Sequence, residues 1–270
     1  MASFSERMGF VKKVLQKDSM DQPLKNALWN ASYFTFWDNM EDYNKIGSML
    51  SLALWAEYFH EPADEFTASP SYVIARTKKY YMASGWNSVY DFVQFVANCP
   101  VPKNYVNRFA TACNLALEKH VSAYRLIQGI VTPITSDEEI SALEQAMDRD
   151  APFAAAANHL RTALARFSDR ASPDYRNSIK ESISAVESVC QILTGDPKAS
   201  LGKALKQLNI NRALESGYAK IYGYTSDADG IRHALLDEST VDADDARFFL
   251  VSCSAFVNYL TSKSSSGCGG

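Results

Sequence analysis

The chain has 270 residues, of which 47% are hydrophobic and 21% charged, and its net charge at neutral pH is −4. That length supports one large or two modest domains with a substantial core, and the charge balance excludes a generally basic nucleic-acid binder. No apolar run approaches the ~20 residues that span a bilayer, and MASFSERMGFVKK lacks the basic-then-apolar pattern of a signal peptide, so a cytoplasmic protein with no membrane contact is expected.

Helical signals dominate from the start. Ser5 caps a first predicted helix through Phe10, Val14 and Leu15, and a second runs from 23 to about 37 with Leu24, Leu28, Ala31 and Phe34 at helical spacing. Its aromatic residues (Trp29, Tyr33, Phe34, Phe36, Trp37) read as core rather than as a base-stacking surface, because few basic residues are interleaved. Helical pattern returns over 45–59, with Ile46, Met49, Leu50, Ala53, Leu54 and Tyr58 on one face, and Pro62 stops it. Ser69-Pro70 opens a helix over 72–83, where Arg76, Lys78 and Lys79 form the densest basic patch of the N-terminal half. A solvated face is favoured there over a phosphate-contacting one. Helices over 86–98, with Val89, Phe92, Val93 and Val96 inward, and from Pro102 through Phe109, Cys113 and Leu117 follow. The segment near 123–134 is the one strand signal: two β-prone runs flank Gln128-Gly129, a two-residue turn, and Pro133 confines the second run to an edge.

Ser136 with Glu139 predicts a capping box for a helix to about Met147. An alanine-rich helix over 152–167 ends in the polar stretch SDRASP, where the domain boundary is expected, giving a first domain over 1–168 and a second over 169–262 before a flexible tail, 263–270. Ser172-Pro173 caps a long helix to about Leu193, whose buried stripe is Ile179, Ile183, Val186, Cys190 and Leu193. Shorter helices over 201–208 and about 212–222 come next, and Asp242 caps a last one with Ala246, Phe249, Cys253, Phe256 and Leu260 inward. The five cysteines form no C-x-x-C pair and the four histidines no H-x-x-x-H spacing, so neither a metal site nor a cofactor is expected.

The stretch 218–237, YAKIYGYTSDADGIRHALLD, gathers the most chemistry into one segment, punctuated by Gly223 and Gly230. A metal-free cleavage of RNA needs a proton acceptor, a proton donor and a cation for the phosphorane. His233 fits the acid–base role, with a reference pKa near ~6.5. Arg232 fits the phosphate clamp and Asp229 orients the imidazole, while Tyr224 stacks or hydrogen-bonds. Glu181 and Lys180 are expected to face the same cleft from the long helix, and Glu187 lies on the same polar side. The plainer alternative has Asp229 as a helix cap and Arg232 paired with Glu181 or Glu187 in a structural network.

FSERMGFVKKVLQKDSMDQPLKNALWN, WNSVYDFVQF and HVSAYRLIQGIVTPITSDEEI resemble the N-terminal domain of AbiJ-like abortive-infection proteins. YRNSIKESISAVESVCQILTGDPKASLGKAL, continuing to GYTSDADGIRHALLDES, resembles the HEPN-like module paired with that domain. The resemblance implies a mainly α protein: a helical domain with one small β-hairpin, then an HEPN-like bundle that dimerises. It also implies antiviral defence, RNA or a nucleotide as ligand, and a phage-derived or defence-system protein as trigger. Active HEPN members are endoribonucleases with an arginine four to six residues before a histidine. Here Arg232 and His233 are adjacent, and Arg176-Asn177 has no histidine within reach, so that motif is absent as written. A non-catalytic module binding nucleotide, nucleic acid or a partner protein is the alternative.

Overall fold

The computed structural model describes residues 4–8, 14–38, 43–66, 70–169, 171–199, 201–208, 210–227 and 241–266. Within them the fold is mainly α-helical with one antiparallel hairpin, and the chain divides into two compact units, Met1–Thr135 and Ser136–Gly270.

The first unit begins with α1 (Phe4–Arg7) and α2 (Gln22–Phe36). Asp21 caps α2 by accepting from the Leu24 N–H at 2.8 Å. Next, α3 (Ser48–Ala53) is flanked by π-helical turns, Tyr43–Gly47 and Leu54–Tyr58, where one continuous α-helix was expected. Then come α4 (Pro70–Ala83), α5 (Trp86–Ala97) and α6 (Lys103–Lys119). Trp29 and Phe36 of α2, and Trp37 just past its end, are core as expected, while Tyr33 is half-buried: Trp29 meets Tyr81 and Phe92, and Phe36 meets Phe109. Phe34 differs and is exposed, because three residues past Ala31 the helix has rotated off the buried face; Met49 is exposed likewise. A buried lysine holds α2 to α4. Lys25 Nζ donates to the carbonyls of Met82 and Ser84 at 2.9 and 2.5 Å, placing a cation at the negative end of α4.

The hairpin pairs β1 (Arg125–Ile127) with β2 (Ile130–Thr132) through the expected Gln128-Gly129 turn, whose residues both have positive φ (49° and 79°). Ile127 and Ile130 flank a two-residue turn, so Leu126 and Val131 form the pair whose backbone groups point away from each other. Side-chain amides fill both outer edges. The Asn114 amide accepts from the Leu126 N–H at 2.8 Å and donates to the Leu126 carbonyl at 2.9 Å. Gln94 accepts from the Val131 N–H at 2.7 Å, and Asn98 donates to the Gly129 carbonyl at 2.9 Å. A three-residue ribbon is thereby held between α5 and α6 without a third strand.

The second unit comprises α7 (Asp137–Met147), α8 (Ala154–Ser168), α9 (Tyr175–Thr194), α10 (Leu201–Gln207), α11 (Arg212–Asp227) and α12 (Ala243–Ser266). Ser136 caps α7 as expected, accepting from the Glu139 N–H. The apolar stripe Ile140, Leu143 and Met147 of α7 is buried, as is the expected stripe of α12, and so is that of α9 except for Leu193, which is half-buried. Polar ties join the helices: Arg247 donates to Glu139, Asn258 bridges Arg149 and the Ala142 carbonyl, and Arg161 reaches the Met147 carbonyl. The division at 135/136 thus lies ahead of the polar stretch expected to carry the boundary at 168/169. That stretch is a tight helix–helix turn inside the unit, where Asp169 accepts from the N–H groups of Ala171 and Ser172. Asp174, not Ser172, caps α9, accepting from the Asn177 N–H at 3.1 Å. At the far end Gly195, at φ 68°, stops α9 where expected. Gly223 lies within α11 rather than at a turn, and α12 continues through Lys263 to Ser266.

Cys99, Cys113, Cys190 and Cys253 are all buried; burial pushes the Cys190 and Cys253 thiols up to about 12 and makes them packing groups rather than nucleophiles.

Candidate functional site

Of the expected site residues, Glu181, Lys180 and Glu187 fall on α9 and Tyr224 on α11; Arg232, His233 and Asp229 lie outside the described residues. Lys180 is exposed, and Glu187 is half-buried.

Glu181 is engaged by a residue that sequence reasoning passed over. His159, on α8, brings its Nδ1 to 2.6 Å from Glu181 Oε2. A carboxylate only accepts, so Nδ1 carries the proton and Nε2 is left as the basic nitrogen. The pair is accessible, with the His159 side chain 40% exposed and that of Glu181 24%. It is one rung of a polar seam along the antiparallel α8–α9 hairpin. Further along, Ser178 Oγ donates to the Ala163 carbonyl at 2.8 Å, and Arg166 donates to Asp174 at 2.6 Å. From the first rung to the last, seven residues along α8 are matched by seven back along α9, so the ends of the seam stay in register. Beneath them Ile179, Ile183, Leu160 and Leu164 supply the apolar contact that fixes it. Arg166, Asp174, Asp169 and Ser172 line a shallow open depression at the end of the hairpin.

Burial alone would push the Asp174 carboxyl up, but hydrogen bonds from Asn177 and Arg166, with the Arg166 charge, outweigh it and hold the group below the usual carboxylate range. Its folded pKa is below the unfolded value of about 3.9, so its stabilisation is present above that value and is lost as pH falls through the folded one. The melting-temperature gap between wild type and Asp174→Asn is therefore expected to narrow as pH falls below about 4. A gap independent of pH would contradict the assignment.

A His–Glu pair found this way has a weak sequence signal, since the residues sit 22 apart on different helices. His159 follows an alanine run that reads as plain helix, and only the antiparallel register brings it opposite Glu181. Among the described residues no group of three or more His, Cys, Asp or Glu could hold a metal ion, and no helix is long and apolar enough to cross a membrane.

A mainly α-helical protein of two units, the second presenting a hydrogen-bonded His–Glu pair on a helix hairpin, is the class that fold and site define. The family model for AbiJ N-terminal domain 4 matches residues 2–149, which takes in the first unit and α7 of the second. The chain belongs to this AbiJ family, which places it in abortive-infection antiviral defence. No curated protein and no solved structure matches it.

Proposed function

We propose that this protein is a cytoplasmic abortive-infection effector whose second unit, an HEPN-like bundle acting as a homodimer, cleaves RNA without a metal. The observation that carries the reading is the accessible His159–Glu181 pair. Glu181 holds the Nδ1 proton, and Nε2 of His159 takes the proton of a ribose 2′-hydroxyl. The 2′-oxygen attacks phosphorus, the bond to the 5′-oxygen breaks, and that oxygen leaves with a proton. The products are a 2′,3′-cyclic phosphate and a 5′-hydroxyl. His233 is assigned the proton donor, oriented by Asp229; Arg232 and the exposed Lys180 supply positive charge to the phosphorane. Tyr224 and Glu187 are assigned to the substrate side.

A second reading is favoured by charge. Residues 136–270 hold 14 Lys and Arg against 19 Asp and Glu, a net of −5, which repels a phosphate chain. On this reading the bundle is non-catalytic and holds a defence-system or phage protein partner.

Plating of phage on cells carrying wild type, His159→Ala or Glu181→Gln separates the two. The cleaving reading predicts that folded His159→Ala loses protection. Full protection by that variant would contradict it and favour the partner-binding reading.

A further inference from the structure

Along α4 the side chains of Tyr72, Arg76 and Tyr80 recur every four residues and lie in file on one face. Both tyrosines are exposed, at 55% and 45%, and stand ~12 Å apart along the helix. Between them the Arg76 guanidinium lies over the rings of Trp55 and Phe59, 5.0 Å from each centroid. Tyr72 leans on Trp55 at 6.5 Å, and Tyr80 meets Phe59 and Tyr58 edge-on at 5.5 and 5.9 Å. The π-helical turn Leu54–Tyr58 supplies Trp55 and Tyr58, with Trp55 buried behind as a rigid backing. A continuous shelf of rings and one guanidinium plane results. Lys79 is exposed beside it, next to Tyr72 on the helix surface, whereas Lys78 projects from the other side of α4. Of the nearby acids, Glu61 is paired with Arg76, Glu57 is exposed on the π-helical turn, and Asp64 and Glu65 sit in the turn before Phe66, which packs on Trp55.

We propose that this shelf binds single-stranded nucleic acid, with bases stacking on Tyr72 and Tyr80 and phosphates meeting Lys79. Stacking platforms flanked by cations are how single strands are held without sequence preference. Charge assigns the task to this unit: residues 1–135 hold 13 Lys and Arg against 12 Asp and Glu, a net of +1, whereas the second unit stands at −5. The shelf rests on the RNA-directed reading for its role in defence, but its binding is measured without cleavage.

The test is fluorescence anisotropy of the full chain with labelled single-stranded RNA, single-stranded DNA and duplex DNA of the same sequence. Stacking reads base faces, so both single strands are expected to bind, and the duplex more weakly. Tyr72→Ala/Tyr80→Ala is expected to weaken single-strand binding at least about tenfold, Tyr→Phe at both positions to retain it, and Lys79→Ala to flatten its salt dependence, with Lys78→Ala, on the other side of α4, changing it less. Both tyrosines are exposed, so an unchanged melting temperature confirms that the fold is kept. No single-strand binding by wild type, equal affinity for duplex, or unchanged binding by the folded double-alanine variant would each overturn the proposal. Binding that follows these substitutions while no RNA is cut would uphold the shelf and sink the cleaving reading.

Discussion

On the proposed RNA-cleaving function, replacing His159 by alanine is expected to lower cleavage by about 10²–10⁴-fold, the usual contribution of a positioned proton acceptor. The side chain is 40% exposed and its one hydrogen bond from Nδ1 goes to Glu181, so its loss leaves no deeply buried group stranded. Folding should therefore survive while chemistry fails. Glu181→Gln should cost less than His159→Ala, because an amide still offers an oxygen to Nδ1 but no longer a charge to steady the imidazolium. Single-turnover kinetics on end-labelled RNA measure both. Equal rates for wild type and His159→Ala would remove His159 from the chemistry.

The largest expected loss of stability comes from Asn114→Leu. Its amide makes two hydrogen bonds to Leu126, which is fully buried, and leucine can make neither. Leaving a buried donor and a buried acceptor unpaired costs about 1–3 kcal/mol each, so a total of about 3 kcal/mol is expected. Gln94→Leu should cost less, since it strands one N–H at half-buried Val131. Urea denaturation compares them. A cost below about 1 kcal/mol for Asn114→Leu would mean that the hairpin edge is satisfied some other way.

Local chemistry made much of this fold legible. The turn at Gln128-Gly129 follows from two β-prone runs around a glycine, and the hairpin forms there with both turn residues at positive φ. Capping by Ser136 and the stop at Gly195 are equally local, and both occur. What escaped sequence reasoning depends on register between distant segments. The amide of Asn114 reaches β1 only because α6 packs beside the hairpin, and Lys25 meets the end of α4 across 57 residues of chain. Phe34 fits a stripe on paper but sits a fraction of a turn off the buried face. The polar stretch 168–173 has linker composition, yet the matching seams of α8 and α9 make it a turn within one unit. The candidate site divides the same way. Glu181 was legible as a carboxylate on the polar side of a long helix, whereas its partner His159 required the α8–α9 register. Arg232, His233 and Asp229 lie outside the described residues.

On the function proposed above, this AbiJ-family protein defends by cutting RNA with the His159–Glu181 pair. The most direct test extracts RNA from phage-challenged cells and maps its new 3′ ends, comparing wild type with folded His159→Ala. The account predicts fragments ending in 2′,3′-cyclic phosphate with wild type and none with the variant. Intact RNA in both, with wild type still protecting the cells, would contradict it.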